Sequence, residues 1–254
     1  MTTQRTRRGF SVRMFLVDGA PDGLRLVEKS NWSGRGLMCS RAQFPSIRQR
    51  TEFDRVGVYI LVGEENNPAV GPRVYVGEGD MVRARIDSHV REKDFWTRLV
   101  LFTSKDDNLN KAHVQHLEAR LVELAKTAKR STVENANNPQ LPNLSEADVS
   151  DVETFLDDVL LILPLLGIQA FEVVERGEQT GPRLVLDGKG IHAEGRDTPE
   201  GFVVYRGAKV VPETQAAASI HNYLVELRNE LAERGVIVWA AAGPGAFAED
   251  YVFN

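Results

Sequence analysis

The sequence predicts an α+β protein: a small antiparallel three-stranded sheet flanked by helices, preceded by a β-hairpin region and followed by an α+β accessory domain. Three observations carry this. Runs rich in β-branched and aromatic residues at 56–62, 73–76 and 97–103 read as strands. Two segments with apolar residues recurring every three or four positions, beginning near Asp80 and Lys111, read as helices. Between 129 and 150 the composition turns to Asn, Pro and Ser, which reads as a linker.

Taken in order, 10–17 and 24–28 are strand-like and flank a turn at Asp18-Gly19-Ala20-Pro21-Asp22-Gly23, so a hairpin is expected in the first 50 residues. The runs 56–62 and 73–76 are joined by a segment containing Asn66-Asn67-Pro68 and Gly71-Pro72, a loop by composition. They form the obvious antiparallel pair. Asp80 is a good N-cap for a first helix whose stripe is Val82, Ile86 and Val90. A second helix, from about 111 to 128, turns Val114, Leu117, Leu121, Leu124 and Ala128 to the core. A short apolar helix at 154–166 follows, then strands at 170–175, 183–186, 191–194 and 202–205, a helix at 214–234 and a strand at 236–239. The expected division is 1–50 as a β-rich extension, 51–140 as the core, 141–169 as linker and short helix, and 170–254 as the accessory domain.

Bulk composition excludes several classes. With 42% hydrophobic and 26% charged residues among 254, the chain is of ordinary globular composition. It carries no apolar run of the roughly 18 residues a membrane span needs, so no membrane partner is expected. The basic stretch 1–8 leads into no apolar signal region, and a cytoplasmic protein is expected. Cys39 alone forms no internal disulfide and reads as a small buried apolar side chain. The net charge of −5 argues against coating nucleic acid by bulk electrostatics, but from Gly71 to Arg130 twelve Lys or Arg outnumber nine Asp or Glu.

The chemistry-bearing residues concentrate in that basic segment. Tyr59 and Tyr75 sit on neighbouring strands whose apolar runs align in a register that brings both hydroxyls to one patch. Gly57 and Gly77 weaken a strand interior or end, which marks a bend or a close approach. Arg85 offers a planar, permanent cation suited to a phosphate oxygen, with Arg83 as its competitor. Glu118 falls about 40° around the helix from Val114, inside the apolar arc, where a carboxylate needs a partner, and a salt bridge to Arg85 or Lys111 would supply one.

The ordered set Gly57-Val58-Tyr59, Val74-Tyr75-Val76-Gly77, Arg85 and Glu118 resembles the GIY-YIG nuclease family over about 56–138. Valine replaces isoleucine in both tripeptides, and the loop between the tyrosines is longer than usual for the family. The resemblance implies a GIY-YIG core and an endonuclease hydrolysing DNA phosphodiester bonds with Mg²⁺ or Mn²⁺. Glu118 would be the metal ligand, Tyr59 the general base, Tyr75 the group placing water or phosphate, and Arg85 the phosphate clamp. It also implies that His89 binds phosphate or shuttles a proton, and that Lys111, two turns before Glu118, steadies metal water or phosphate. Asn135 would brace the site, with Asn137 and Asn138 competing for that place. Arg73, Arg83 and Arg91 are expected to contact nucleic acid. The C-terminal part resembles a domain of unknown function attached to bacterial GIY-YIG proteins, and related proteins are expected to continue beyond Phe253-Asn254. Expected partners are DNA and either a second copy or a component of a phage-defence system. The competing readings are a catalytically silent nucleic-acid or protein binding module on the same fold, and an RNA-cleaving nuclease.

Overall fold

A computed structural model describes residues 9–65, 71–172, 182–188, 191–198, 201–211, 222–241 and 243–253. The chain divides into two compact units, one of 1–64 with 73–129 and 133–172, the other of 65–72 with 130–132 and 173–254. Among the described residues five α-helices and three sheets make it a mixed α+β protein. No described helix is long and apolar enough to cross a membrane.

The larger sheet is built from β1 (Val12–Leu16), β2 (Arg25–Lys29), β3 (Gly34–Ser40), β4 (Gly57–Gly63), β5 (Arg73–Gly79), β6 (Arg98–Ser104) and β7 (Thr132–Val133). Their order is β1-β2-β3-β6-β4-β5-β7. The three strands expected as a complete sheet, β4, β5 and β6, are therefore the middle of a seven-stranded one. The link is β3, which pairs antiparallel with β2 and β6 and joins the N-terminal hairpin to the core. Its Gly-Arg-Gly start conceals it in the sequence. A Cβ on Gly34 would lie 2.1 Å from the Trp32 ring, and one on Gly36 3.1 Å from Phe102, so these glycines clear space for aromatic rings.

Alternation along the strands gives the sheet two apolar faces. Val58, Ile60, Val62, Val74, Val76, Val100 and Phe102 meet Val114, Leu117 and Leu121 of α3 (Lys111–Ala128) and Phe155, Leu156 and Val159 of α4 (Glu146–Ile162). On the opposite face Tyr59, Leu61, Leu99 and Leu101 meet Val82 and Ile86 of α2 (Val82–Glu92), with Phe44 of the short α1 (Phe44–Ile47) and Phe53 of the 3₁₀ turn Thr51–Asp54. Two-sided burial explains why β4 reads as a continuous apolar run.

Two helix starts differ from the sequence reading. Asp80 does not cap α2: β5 stays paired through Gly79, opposite Gly57, and Met81 is an N-cap with no side-chain hydrogen bond. In place of the expected helix at 154–166, α4 begins at Glu146 inside the predicted linker. Ser145 caps it by accepting from the Asp148 N–H at 3.1 Å, and Glu146 and Asp148 complement the dipole of the first turn. Its apolar face belongs to the main core, so 146–162 is structural rather than connective.

The second unit holds a four-stranded sheet, β14-β10-β9-β8, and a three-stranded one, β11-β13-β12. Among the described residues its strands are β8 (Leu184–Gly188), β9 (Ile191–Thr198), β10 (Gly201–Val204), β11 (Lys209–Val210), β12 (Ile237–Val238), β13 (Gly245–Phe247) and β14 (Tyr251–Phe253), with the helix α5 (Asn222–Glu233). Leu227 and Leu231 of α5 pack with Val236, Phe247 and Tyr251. Instead of opening a strand at 170–175, Ala170 and Phe171 are buried in the first unit's core, and 173–175 lie outside the described residues. The tail 1–8, the loop segment 66–68 and the first part of the expected helix at 214–234 lie outside them as well.

Because Phe102 is fully buried and its ring lies 6.3 Å from that of Trp32, Phe102→Ala is expected to cost about 3–5 kcal/mol of stability. Urea unfolding checks this, with the midpoint falling and the slope unchanged.

Candidate active site

The register of β4 on β5 builds the centre of the site. Tyr59 faces Gly77 and Leu61 faces Tyr75, which puts both tyrosines on one face as diagonal neighbours with ring centroids 6.4 Å apart. The Tyr59 ring lies across Gly77: a Cβ there would sit 2.4 Å from the Tyr59 hydroxyl, so any larger residue evicts it. Gly57 serves a second close approach, since its Cβ would meet the Phe102 carbonyl oxygen at 2.7 Å.

His89 closes the aromatic group from α2. Its Nε2 is 2.8 Å from the Tyr59 hydroxyl, and its ring stands edge-on to Tyr75 with centroids 4.9 Å apart. Burial, and then the charge of Lys93, depress its pKa to about 4, so the imidazole is neutral near pH 7. The Nδ1 atom is buried without a hydrogen-bond partner among the described residues. A bare acceptor there is less costly than an orphaned N–H, which assigns the proton to Nε2. Nε2–H then donates to Tyr59, and the Tyr59 hydroxyl is free to donate to Tyr75, whose pKa its hydrogen bond lowers.

The two tyrosines differ in access. Tyr59 is 1% exposed, whereas Tyr75 is half-buried, with the Lys93 ammonium 4.4 Å from its ring centroid. Burial raises the Tyr59 pKa first, then the neighbouring Tyr75, while Arg85 opposes both. Burial raises Tyr75 as well, followed by the charge of Glu118, and Arg85 again opposes. The expectation that Tyr59 meets the attacking water thus falls on the enclosed member of the pair, and the partly exposed one is Tyr75.

Arg85 and Glu118 reach this centre from opposite faces of the sheet, on α2 and α3. Arg85 is exposed and makes no hydrogen bond or ion pair among the described residues, while its competitor Arg83 is held by Asp54 at 2.6 Å. Neither salt bridge considered for Glu118 forms. Lys111 binds a different carboxylate, with Nζ 2.9 and 2.6 Å from the two oxygens of Glu78 and 3.9 Å from Asp80. Glu118, half-buried, has no hydrogen-bonding or ionic partner among the described residues. Burial and then the charge of Glu78 raise its pKa to about 7, against the pull of Arg85 and Lys111.

Glu78 is the residue that sequence reasoning missed. It is 7% exposed on a strand otherwise apolar on that face. Alternation from Val74 and Val76 puts it on the α3 side, where a lysine opening the helix is its natural partner.

Asn135 accepts from the Val76 N–H at 3.0 Å and donates to the Val76 carbonyl at 2.8 Å, whereas Asn138 accepts from Lys126. Among the asparagines considered, Asn135 therefore braces β5. The other candidate nucleic-acid contacts are dispersed. Arg73 pairs with Glu134 at 2.6 Å and lies over the Phe95 ring, while Arg91 is exposed on α2. Of the remaining histidines near the segment, His113 completes the capping box of α3 with Asn110, and His116 bonds Glu153 of α4 at 2.6 Å. Cys39 is buried, which pushes its thiol up to about 12.

Residues 184–254 match a family model described as a domain of unknown function (DUF4357). That match lies within the second unit and contains none of the residues above. No curated protein and no solved structure matches the chain.

Two outcomes test this arrangement. Gly77→Ala is expected to destabilise the protein by about 1–3 kcal/mol, and the penalty should shrink in a Tyr59→Leu background, as read from a double-mutant cycle of urea unfolding. For Glu118, a folded pKa near 7 against an ordinary 4.5 means that the native state holds a proton the unfolded chain has released. The stability this supplies is complete below the unfolded value and is lost as pH rises through 7. After allowance for solvent screening, Glu118→Gln should therefore be more stable than wild type by about 1–2 kcal/mol at pH 8, with the difference vanishing near pH 4.

Proposed function

We propose that the chain is a metal-dependent endonuclease of the GIY-YIG type that hydrolyses DNA phosphodiester bonds at the cluster of Tyr59, Tyr75, Arg85, His89 and Glu118. The observation that carries this reading is Glu118: a half-buried carboxylate that, among the described residues, has no hydrogen-bonding or ionic partner although Lys111 and Arg85 are both within electrostatic reach. A carboxylate serving only stability would have taken one of those cations.

The donor set fits a hard divalent cation. Among the described residues no group of three or more His, Cys, Asp or Glu could hold a metal. Mg²⁺, however, needs one or two carboxylates and fills its remaining positions with water and substrate phosphate. Glu118 would hold it, and relief of the repulsion from Glu78 would favour its binding. When bound, the ion supplies positive charge for the phosphate and acidifies its water.

The chain's own groups divide the remaining work. Arg85, exposed and unpaired, takes a non-bridging phosphate oxygen. Tyr75 orients the attacking water, its hydroxyl fixed by the donor chain from His89 through Tyr59. Both tyrosines are neutral at rest because burial holds their pKa values high, so deprotonation requires cationic charge, which Arg85 begins to supply. Lys111, bound by Glu78, holds a fixed ammonium beside Glu118.

Nicking of supercoiled plasmid tests the reading. Cutting should require Mg²⁺ or Mn²⁺, stop with EDTA, fall about a thousandfold or more in Glu118→Ala and about a hundredfold in Arg85→Ala, with DNA binding retained in the former. At subsaturating Mg²⁺ the rate should rise about tenfold per pH unit up to roughly pH 7, where Glu118 is ionised, and then level off. Absence of cutting on DNA, with cutting on RNA, would transfer the activity to RNA. Absence on both would favour the binding module, a reading for which the full burial of Tyr59 is the specific support.

A further inference from the structure

We infer that β8 is a dimerisation strand, which pairs antiparallel with β8 of a second copy of this chain. Among the described residues β8 is an outer strand of its sheet, bonded to β9 on one side only. All five of its residues are exposed, and three in succession are apolar: Leu184 at 48%, Val185 at 54% and Leu186 at 67%. Soluble proteins blunt such an edge with proline, a bulge or an inward-pointing charge. The run Leu184-Val185-Leu186 carries none of these devices.

The sequence of the strand selects the occupant. A two-fold axis at Val185 places Val185 opposite its own copy, Leu184 opposite Leu186, and Arg183 opposite Asp187. Every apolar side chain meets an apolar one, and both charged residues meet an opposite charge, twice by symmetry. Directly opposed residues share a face of the sheet, so Leu184 and Leu186 would meet on the side where Phe202 is also exposed. The charges are on hand at the surface: exposed Arg183 reaches half-buried Glu194 at 2.8 Å and exposed Asp187 reaches exposed His192 at 2.6 Å, pairs that are readily shared or exchanged. Self-pairing of β1, an outer strand of the larger sheet that also exposes Met14 and Phe15, gives no such match. An axis at Met14 sets Arg13 against Phe15.

The pairing joins two four-stranded sheets into one of eight by the main-chain hydrogen bonds of strand addition. Its area is small, so the dimer should dissociate in the micromolar range. Sedimentation of the full chain up to about 100 µM tests this, and the readout is independent of any nuclease activity. Wild type is expected to dimerise. Arg183→Asp and Asp187→Arg each set like charges opposite one another and should weaken the dimer about tenfold or more, while the double reversal restores it. Val185→Cys, opposite itself on the axis, should form a covalent dimer under mild oxidation, because facing Cα atoms in such a pair lie within disulfide reach. A chain that remains monomeric at the highest concentration overturns the inference. So does a dimer that is indifferent to both charge reversals and leaves Val185→Cys uncrosslinked while circular dichroism shows the variants folded.

Discussion

The packing of one ring over one glycine orders the site. Tyr59 lies across Gly77, and that single cross-strand placement fixes the register in which β4 meets β5. It also determines the position of a hydroxyl that anchors His89 and, through it, α2. Slipping β4 by one residue would send Tyr59 to the α3 face and bring Val58, Ile60 and Val62 out of their core. The tyrosine pair, the helix that brings Arg85 and the burial of both sheet faces are thus consequences of one local fit.

Charge is distributed around this fit with separate duties. The strand carboxylate, Glu78, is engaged by Lys111 through both oxygens, and the helix carboxylate, Glu118, makes no hydrogen bond or ion pair among the described residues. By neutralising the strand carboxylate in a short bidentate contact, the protein leaves the second one partly desolvated, with Lys111 and Arg85 in electrostatic reach but, among the described residues, bonded to neither. Such a group is costly to the apoprotein and available to a ligand. The imidazole beside the tyrosines is likewise kept neutral by burial, so the aromatic group transmits hydrogen-bond direction rather than charge.

Much of the fold could be read from the chain because its central strands are rich in β-branched residues and α3 has an unbroken apolar stripe. What could not be read has identifiable causes. The glycines of β3 accommodate rings from elsewhere, so the strand carries little apolar signal of its own, and without it the N-terminal hairpin looked detached. The acidic start of α4 resembles solvated linker until Ser145 is recognised as its cap. Asp80 has the chemistry of an N-cap, but β5 continues past the point where a cap would be placed. At the site, Tyr59, Tyr75, Arg85 and Glu118 stand out by type and spacing. Their differences in exposure do not, since burial depends on α2 and the 3₁₀ turn closing over one face. Glu78 was hidden by following directly upon a strand that looked wholly apolar.

The side chain of Asn135 stands in for a peptide group, occupying both the N–H and the C=O of Val76 beyond the two-residue β7. The ladder on that flank therefore ends in a terminator that has no backbone continuation to pass on. A strand arriving there finds the hydrogen-bonding positions of Val76 already filled, so β5 cannot be extended by pairing at that point.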